Sequence, residues 1–167
     1  IGMFYIGWLY GYGNLLIAMP AGVTWHAFII VVTGCADTGG LVFGILFGRH
    51  RSLPNLSPKK SLEGFIGCYV WGFLSMYLWR ITLPLIASPT NEMLALNITT
   101  EQYMILAFTI TCGSIIGDLW ESYLKRCFKR KDTGDFLPGW GGALDRMDGF
   151  LLTYPITYYL CLYWGMV

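Results

Sequence analysis

Residues 117–148 hold most of the side chains that could do chemistry in this 167-residue chain, because six basic and six acidic residues surround a glycine-rich turn there. Asp118, Glu121, Ser122 and Lys125 follow a long apolar stretch, and their spacing places them on one face of a helix. A carboxylate at a membrane boundary is costly unless it faces water, a metal ion or a basic partner. The stripe therefore predicts a polar site, and a salt-bridge ladder between Glu121 and Lys125 is the plainer alternative.

Asp145 and Asp148 form a second pair of carboxylates, one helical turn apart, with Arg146 between them. Two carboxylates on one turn can share a hard divalent cation such as Mg²⁺, which prefers oxygen ligands and retains waters for substrate phosphates. Acidic residues also favour helix N-termini through the macrodipole, and that is the structural alternative for this pair.

The segment between these carboxylates contains the run Pro138-Gly139-Trp140-Gly141-Gly142. Three glycines in four residues allow backbone N–H groups to approach a ligand closely, so the run is a candidate phosphate cradle. A plain turn explains the glycines equally well.

A second charged segment, residues 48–63, carries the adjacent lysines Lys59 and Lys60. Lysines at a membrane face can bind lipid headgroups or nucleotide phosphates, although the positive-inside rule alone also explains them. Lys60 and Glu63 are interpreted as lying one helical turn apart, and His50 as a solvated loop residue.

Asp37 lies deep inside an apolar segment, and no charged residue is nearer to it than Arg49. An ionisable residue at such a depth predicts a functional site. The alternative is a neutral acid, buried and hydrogen-bonded to a neighbouring helix. Gly40, Gly44 and Gly48 follow at four-residue spacing and predict a close helix-packing face.

Long apolar blocks must position these residues. The chain is 55% hydrophobic and only 13% charged, which is unusual for a soluble domain. Crossing the hydrocarbon takes about 20 mostly apolar residues in a helix. We expect an all-α, polytopic integral membrane protein in which residues 1–167 form a single transmembrane catalytic domain. Five spans are predicted, at roughly 3–19, 24–47, 64–86, 102–124 and 149–166. Because the chain begins at Ile1, we also expect an N-terminal truncation that removed further spans.

The distribution of charge predicts the orientation in the membrane. Ten of the eleven basic residues fall in the loops 48–63 and 125–148, which lie on the same side of a five-span protein. The positive-inside rule places that side in the cytoplasm. A net charge of +1 excludes a nucleic-acid binder on charge grounds.

The charged run resembles the signature of the CDP-diacylglycerol synthases, or phosphatidate cytidylyltransferases. The resemblance is carried by Ser122, Lys125-Arg126, Lys131-Asp132, Pro138-Gly139-Trp140-Gly141-Gly142 and Asp145-Arg146-x-Asp148. Residues 36–39 and 57–64 also resemble the corresponding stretches of that family.

The resemblance implies that CTP and phosphatidate react at a lipid bilayer to give CDP-diacylglycerol and pyrophosphate, with Mg²⁺ and a possible second cation, monovalent or divalent. It implies a multi-pass protein of the bacterial inner membrane with its site facing the cytoplasm, and it leaves a homodimer open. Asp118 and Asp145 would hold the metal, supported by Asp148. Lys60 and Lys125 are the expected catalytic cations. The expected substrate-binding residues are Asp37, Lys59, Glu63, Ser122, Arg126, Lys131, Gly139, Gly141, Gly142 and Arg146.

Trp140 departs from the family pattern, which has His at this position. An indole cannot exchange protons or bind a metal as an imidazole does. An inactive homologue therefore remains an alternative. The others are a CTP-dependent polyprenol or phytol kinase, a synthase acting on archaeal ether lipid, and a transporter that uses Asp37 and Asp118 as ion sites.

Overall fold

Five α-helices form the fold, in a computed structural model that describes residues 2–53, 57–86, 96, 98–128 and 144–166. The helices are α1 (Gly2–Ile17), α2 (Gly22–Phe47), α3 (Leu62–Ile86), α4 (Thr100–Cys127) and α5 (Leu144–Tyr163). Each contains one of the five predicted apolar blocks or overlaps it almost completely. The all-α prediction is therefore confirmed for these elements.

A two-stranded antiparallel hairpin connects α2 to α3 and was not predicted. Strand β1 (Arg51–Leu53) pairs with β2 (Ser57–Ser61), with Arg51 opposite Ser61. Lys60 therefore lies on a strand, while Glu63 lies in the first turn of α3. The interpretation of these two residues as one helical turn apart was wrong, because α3 begins only at Leu62.

Close packing of α2 against α3 depends on glycines. A Cβ atom at Gly39 would lie 2.5 Å from the Gly67 carbonyl oxygen and 2.5 Å from Trp71 Cβ. One at Gly40 would lie 2.5 Å from the sulfur of Cys68. Of the predicted glycine face, Gly40 and Gly44 pack against α3, because a Cβ at Gly64 would lie 3.0 Å from the Gly40 carbonyl oxygen and 3.6 Å from Gly44 Cα. The third predicted glycine, Gly48, lies against the hydroxyl of Ser61 instead.

The buried centre of the molecule joins α2 to the remaining helices. Phe28, Ile29 and Val32 of α2 are fully buried, as are Leu106 and Ile110 of α4.

At the start of α4, the hydroxyl of Thr99 accepts a hydrogen bond from the Gln102 backbone N–H, and the Gln102 side chain accepts one from the Thr99 N–H. This capping box fixes where the helix begins.

Many large apolar side chains remain on the outer surface. Val23, Ile45 and Ile66 are exposed by 60% or more. Two of the described helices, α2 and α4, are long and apolar enough to cross a membrane, by the criteria of length and composition.

Candidate functional site

The C-terminal half of α4 carries the acidic part of the site. Asp118, Glu121 and Lys125 lie on one face of this helix, as their spacing predicted. Glu121 is almost completely buried, and its Oε2 lies 2.8 Å from Nζ of Lys125. The salt-bridge alternative is thus confirmed for this pair, and the pair lies within a larger cluster.

Asp148 of α5 joins the α4 carboxylates because the two helices pack closely at glycines. A Cβ at Gly117 would collide with the backbone carbonyl of Asp148. A Cβ at Gly149 would lie 3.0 Å from the hydroxyl oxygen of Ser114. The contact brings one carboxylate oxygen each of Asp118, Glu121 and Asp148 within 4.8 Å of one another.

Glu121 and Asp148 meet in this cluster although they belong to different helices. Two carboxylates this close repel each other, because both are acceptors only and both carry negative charge. A divalent cation that prefers oxygen ligands could bind between them and offset this repulsion.

Lys60 approaches this cluster from the hairpin. Its Nζ lies 2.5 Å from Oδ2 of Asp118, so the sequence segments 48–63 and 117–148 meet at one point. Ser61, the next residue, is buried, and its hydroxyl accepts the backbone N–H of Gly64 at the start of α3. The strand that carries Lys60 is therefore joined directly to a helix end.

Asp37 faces a cavity rather than the apolar surroundings that its sequence position suggests. Its side chain is exposed, although it lies in the middle of α2, and its Oδ1 accepts a hydrogen bond of 2.9 Å from the Ser114 hydroxyl of α4. The hydrogen bond expected under the structural alternative exists, but the carboxyl group is not sealed from solvent.

The cavity has a volume of about 320 Å³ and lies between α2, α3, α4 and the hairpin. Its polar lining comes from Asp37, Lys60, Ser61 and Asp118. Its remaining lining is Gly40, Leu41, Gly44, Gly64, Phe65, Cys68 and Ile115. An anionic group beside Lys60 and an apolar group beside Leu41 and Phe65 could therefore be bound together.

Of the predicted site residues with described side chains, Asp37, Lys60, Asp118, Lys125 and Asp148 are brought together in this way. Arg126 is exposed on α4, and Ser122 is half-buried beside Glu121. Asp145 and Arg146 lie in the first turn of α5. The predicted residues that fall outside the described part of the chain are the side chains of Lys59, Asp145 and Arg146, together with Lys131, Gly139, Trp140, Gly141 and Gly142.

Two features of the site were missed by the sequence reasoning. Glu121 was not among the predicted metal-binding residues, but it belongs to the carboxylate cluster, and its three-residue spacing from Asp118 was a usable signal. His50 was interpreted as a solvated residue. It is largely exposed, but its Nδ1 lies 2.6 Å from Oε1 of Glu63. Glu63 therefore contacts the beginning of the hairpin, and it does not line the cavity.

The chain matches a known protein family over almost its whole length. A model described as the cytidylyltransferase family matches residues 1–164. The chain belongs to the cytidylyltransferase family. This assignment covers the charged run, the hairpin and all five helices.

Curated members of the family with similar sequences carry the name phosphatidate cytidylyltransferase. The protein from Thermotoga maritima is 37% identical over 131 residues, which are 78% of this chain and 46% of the relative. The protein from Mycobacterium tuberculosis (strain H37Rv) is 36% identical over 140 residues, which are 84% of this chain and 39% of the relative. The protein from Staphylococcus saprophyticus is 33% identical over 151 residues, which are 90% of this chain and 52% of the relative. The chain thus spans about half the length, or less, of the curated relatives it matches.

The carboxylate cluster of this family member fits a divalent cation. Three carboxylates from two helices supply oxygen donors only, which is the ligand type that Mg²⁺ prefers. Lys60 and Lys125 flank the cluster without competing as ligands, since an ammonium group has no acceptor atom. The same two lysines could neutralise phosphate oxygens beside the ion.

Proposed function

We propose that this protein is a phosphatidate cytidylyltransferase, which transfers CMP from CTP to phosphatidate. The observation that carries the proposal is the convergence of three carboxylates and Lys60 beside a partly apolar cavity. The names of the curated relatives support the same reaction. An oxygen of the lipid phosphate would attack the α-phosphorus of CTP. The bond from that phosphorus to the bridging oxygen would break, and pyrophosphate would leave with the bonding pair.

Asp118, Glu121 and Asp148 are the residues we propose for holding Mg²⁺, with Asp145 on the same helical turn as Asp148. A bound Mg²⁺ would neutralise charge that develops on the phosphate oxygens of the nucleotide. Glu121 extends the set that the sequence predicted. A second cation remains a proposal for the same acidic region.

Lys60 and Lys125 are proposed to bind phosphate oxygens on either side of the carboxylates. Both side chains are largely buried, with 19% of each exposed, so their charges are screened less than those of free surface lysines. The attacking lipid phosphate is already anionic, so the reaction requires no strong general base.

The remaining predicted residues are assigned to substrate binding by proposal only. Arg126, Lys131 and Arg146 would add positive charge for the triphosphate, and Gly139, Gly141 and Gly142 would form a backbone phosphate cradle. Lys59 and Ser122 would extend the site at its edges. Asp37 would order the inner end of the cavity through Ser114.

We further propose that the five helices form a multi-pass membrane domain. The apolar lengths of α2 and α4 and the exposed apolar side chains on the outer surface support this proposal. The charged face would lie in the cytoplasm of a bacterium, at its inner membrane. CTP could then arrive from water while phosphatidate remains in the bilayer, and a homodimer is one assembly that the apolar surface would permit.

Pyrophosphate release tests the proposal. The purified protein in lipid nanodiscs is supplied with CTP and Mg²⁺, with and without phosphatidate. We expect pyrophosphate to form only when phosphatidate is present and to stop when EDTA removes the metal. Release that does not depend on phosphatidate, or no release at all, would contradict the proposed reaction.

A further inference from the structure

Glu63 makes its contacts with His50, which lies on the other side of the base of the hairpin. Its two carboxylate oxygens lie 3.2 and 3.3 Å from the backbone nitrogen of His50, which donates to them. The imidazole Nδ1 of His50 lies 2.6 Å from Oε1 of the same carboxylate. Only 21% of the Glu63 side chain is exposed, compared with 75% of His50. The carboxylate is therefore the more buried partner of the pair.

These contacts close the base of the hairpin. His50 precedes β1, whereas Glu63 lies in the first turn of α3, directly after β2. The backbone N–H of Leu62 also donates to the carbonyl oxygen of His50, at 3.0 Å. Both backbone polar groups of His50 are thus bonded to the beginning of α3, so β1 and β2 are held together at the base of the hairpin.

Lys60 lies on β2, next to the base of the hairpin. Its ion pair with Asp118 cannot by itself hold the strand in place, because 44% of the Asp118 side chain is exposed and partly exposed ion pairs contribute little to stability. A lysine side chain is also flexible, so its backbone must be fixed if its charge is to stay in one place. The Glu63 contacts close the hairpin three residues after Lys60, and they add to the strand pairing that holds this backbone.

An acidic residue in the first turn of a helix is favourable through the macrodipole alone. That explanation accounts for the position of Glu63 but not for its three contacts with His50. The two explanations differ in what they predict for glutamine at this position, because glutamine can still accept the His50 N–H but has no charge. Its effect should be lost if only the macrodipole matters and largely kept if the contacts with His50 matter.

We propose that Glu63 and His50 form a clamp that positions Lys60 for a substrate phosphate. The clamp is defined as the Glu63 carboxylate with the backbone N–H and imidazole of His50. The phosphate belongs to CTP or to phosphatidate, and the role as a positioning device rests on the proposed function. Glu63 itself touches no substrate in this account.

A double-mutant cycle tests the clamp, with binding of CTP and of phosphatidate as the readout. The protein in nanodiscs is titrated with each ligand in the wild type, Glu63→Ala, Lys60→Met and the double variant. The ligand that depends on Lys60 is the one, CTP or phosphatidate, whose binding Lys60→Met weakens. We expect Glu63→Ala to weaken binding of that ligand about tenfold, which is the effect of losing a hydrogen bond to a charged group. In the Lys60→Met background the same change should have an effect below about twofold, since the two residues act as one unit.

Two further variants separate positioning from simple folding. Glu63→Gln should restore most of the affinity, because an amide oxygen can still accept the His50 N–H. Glu101→Ala, in the first turn of α4, is the matched control and should leave affinity unchanged. Hydrogen exchange at the Leu62 amide should speed up in Glu63→Ala and return towards the wild-type rate in Glu63→Gln.

Equal weakening by Glu63→Ala in the wild-type and Lys60→Met backgrounds would overturn the clamp, as would unchanged Leu62 exchange or a Lys60→Met variant that binds both ligands normally. If Glu63→Ala does not fold, His50→Ala takes its place, since it removes the imidazole contact only. Normal coupling in the binding cycle with no transfer of CMP would refute the proposed function and leave the clamp standing. Transfer of CMP without coupling in the binding cycle would refute the clamp and leave the proposed function standing.

Discussion

Lys60 Nζ and Asp118 Oδ2 lie 2.5 Å apart, although one belongs to the hairpin after α2 and the other to the last third of α4. The pair joins a basic segment to an acidic one at the edge of a cavity that Asp37 also lines. A phosphate bound there would find a fixed positive charge on one side and a carboxylate set suited to a divalent cation on the other.

Replacing Asp118 by Asn should nearly abolish Mg²⁺-dependent turnover, with a loss of at least about 100-fold, because an amide cannot supply the charge that a hard cation requires. The variant should fold normally, since Asp118 is partly exposed. Initial rates at several Mg²⁺ concentrations, with thermal unfolding as the folding check, measure the effect. Near-normal turnover in Asp118→Asn would remove Asp118 from the metal site.

Glu121→Gln distinguishes the metal cluster from a plain salt-bridge ladder. If Glu121 only pairs with Lys125, the substitution should change stability and leave the Mg²⁺ dependence of turnover unaltered. If it also binds the cation, the Mg²⁺ concentration for half-maximal rate should rise by about 10-fold or more, which is a loss of roughly 1.4 kcal/mol or more. We expect the second result. A Mg²⁺ titration that matches the wild type would return Glu121 to a structural role.

Gly39 tests the packing that holds the cavity together. Gly39→Ala should lower the thermal midpoint, because overpacking a helix contact costs about 1–3 kcal/mol and the new methyl group would meet the Gly67 backbone and Trp71. Gly34→Ala is the matched control in the same helix, since nothing lies within 4 Å of a Cβ there. A control that is as destabilised as Gly39→Ala would show that α2 rejects alanine for a reason other than this contact.

The clamp predicts an acid-dependent loss of stability. The hydrogen bond from His50 lowers the pKa of Glu63 from 4.5 to about 2, so folding favours the charged carboxylate. The stabilisation is complete above pH 4.5 and is lost as the pH falls towards 2, because the unfolded chain then takes up a proton first. The thermal midpoint of the wild type should exceed that of Glu63→Gln at neutral pH, and the difference should shrink below pH 4.5. A difference that stays constant with pH would contradict the assigned pKa.

The helices could be predicted from the sequence because each apolar block is long and uninterrupted by charge. Nothing in residues 48–63 showed the alternation of apolar and polar residues that marks a strand, so the hairpin was missed. Its pairing depends instead on contacts at its ends, such as those between His50 and Glu63.

The parts of the site that lie within one helix could also be predicted, whereas the parts that depend on packing between elements could not. The helical face of Asp118, Glu121 and Lys125 follows from spacing within one element. The approach of Asp148 to Glu121 and of Lys60 to Asp118 depends on how separate elements pack, which spacing cannot show. The glycines at 117 and 149 permit the first approach, but a glycine in a sequence does not reveal which backbone it will meet.

The central claim is that an oxygen of the lipid phosphate attacks the α-phosphorus of CTP beside this cluster. The most direct measurement supplies the protein with phosphatidate, Mg²⁺ and CTP labelled with ³²P at either the α- or the γ-position, and then extracts the lipid. We predict that the lipid gains the label from α-labelled CTP only, at the same rate as pyrophosphate is released. Label from the γ-position would indicate a lipid kinase instead. Lipid that gains no label from either CTP, in a protein that is folded and binds CTP, would contradict the account.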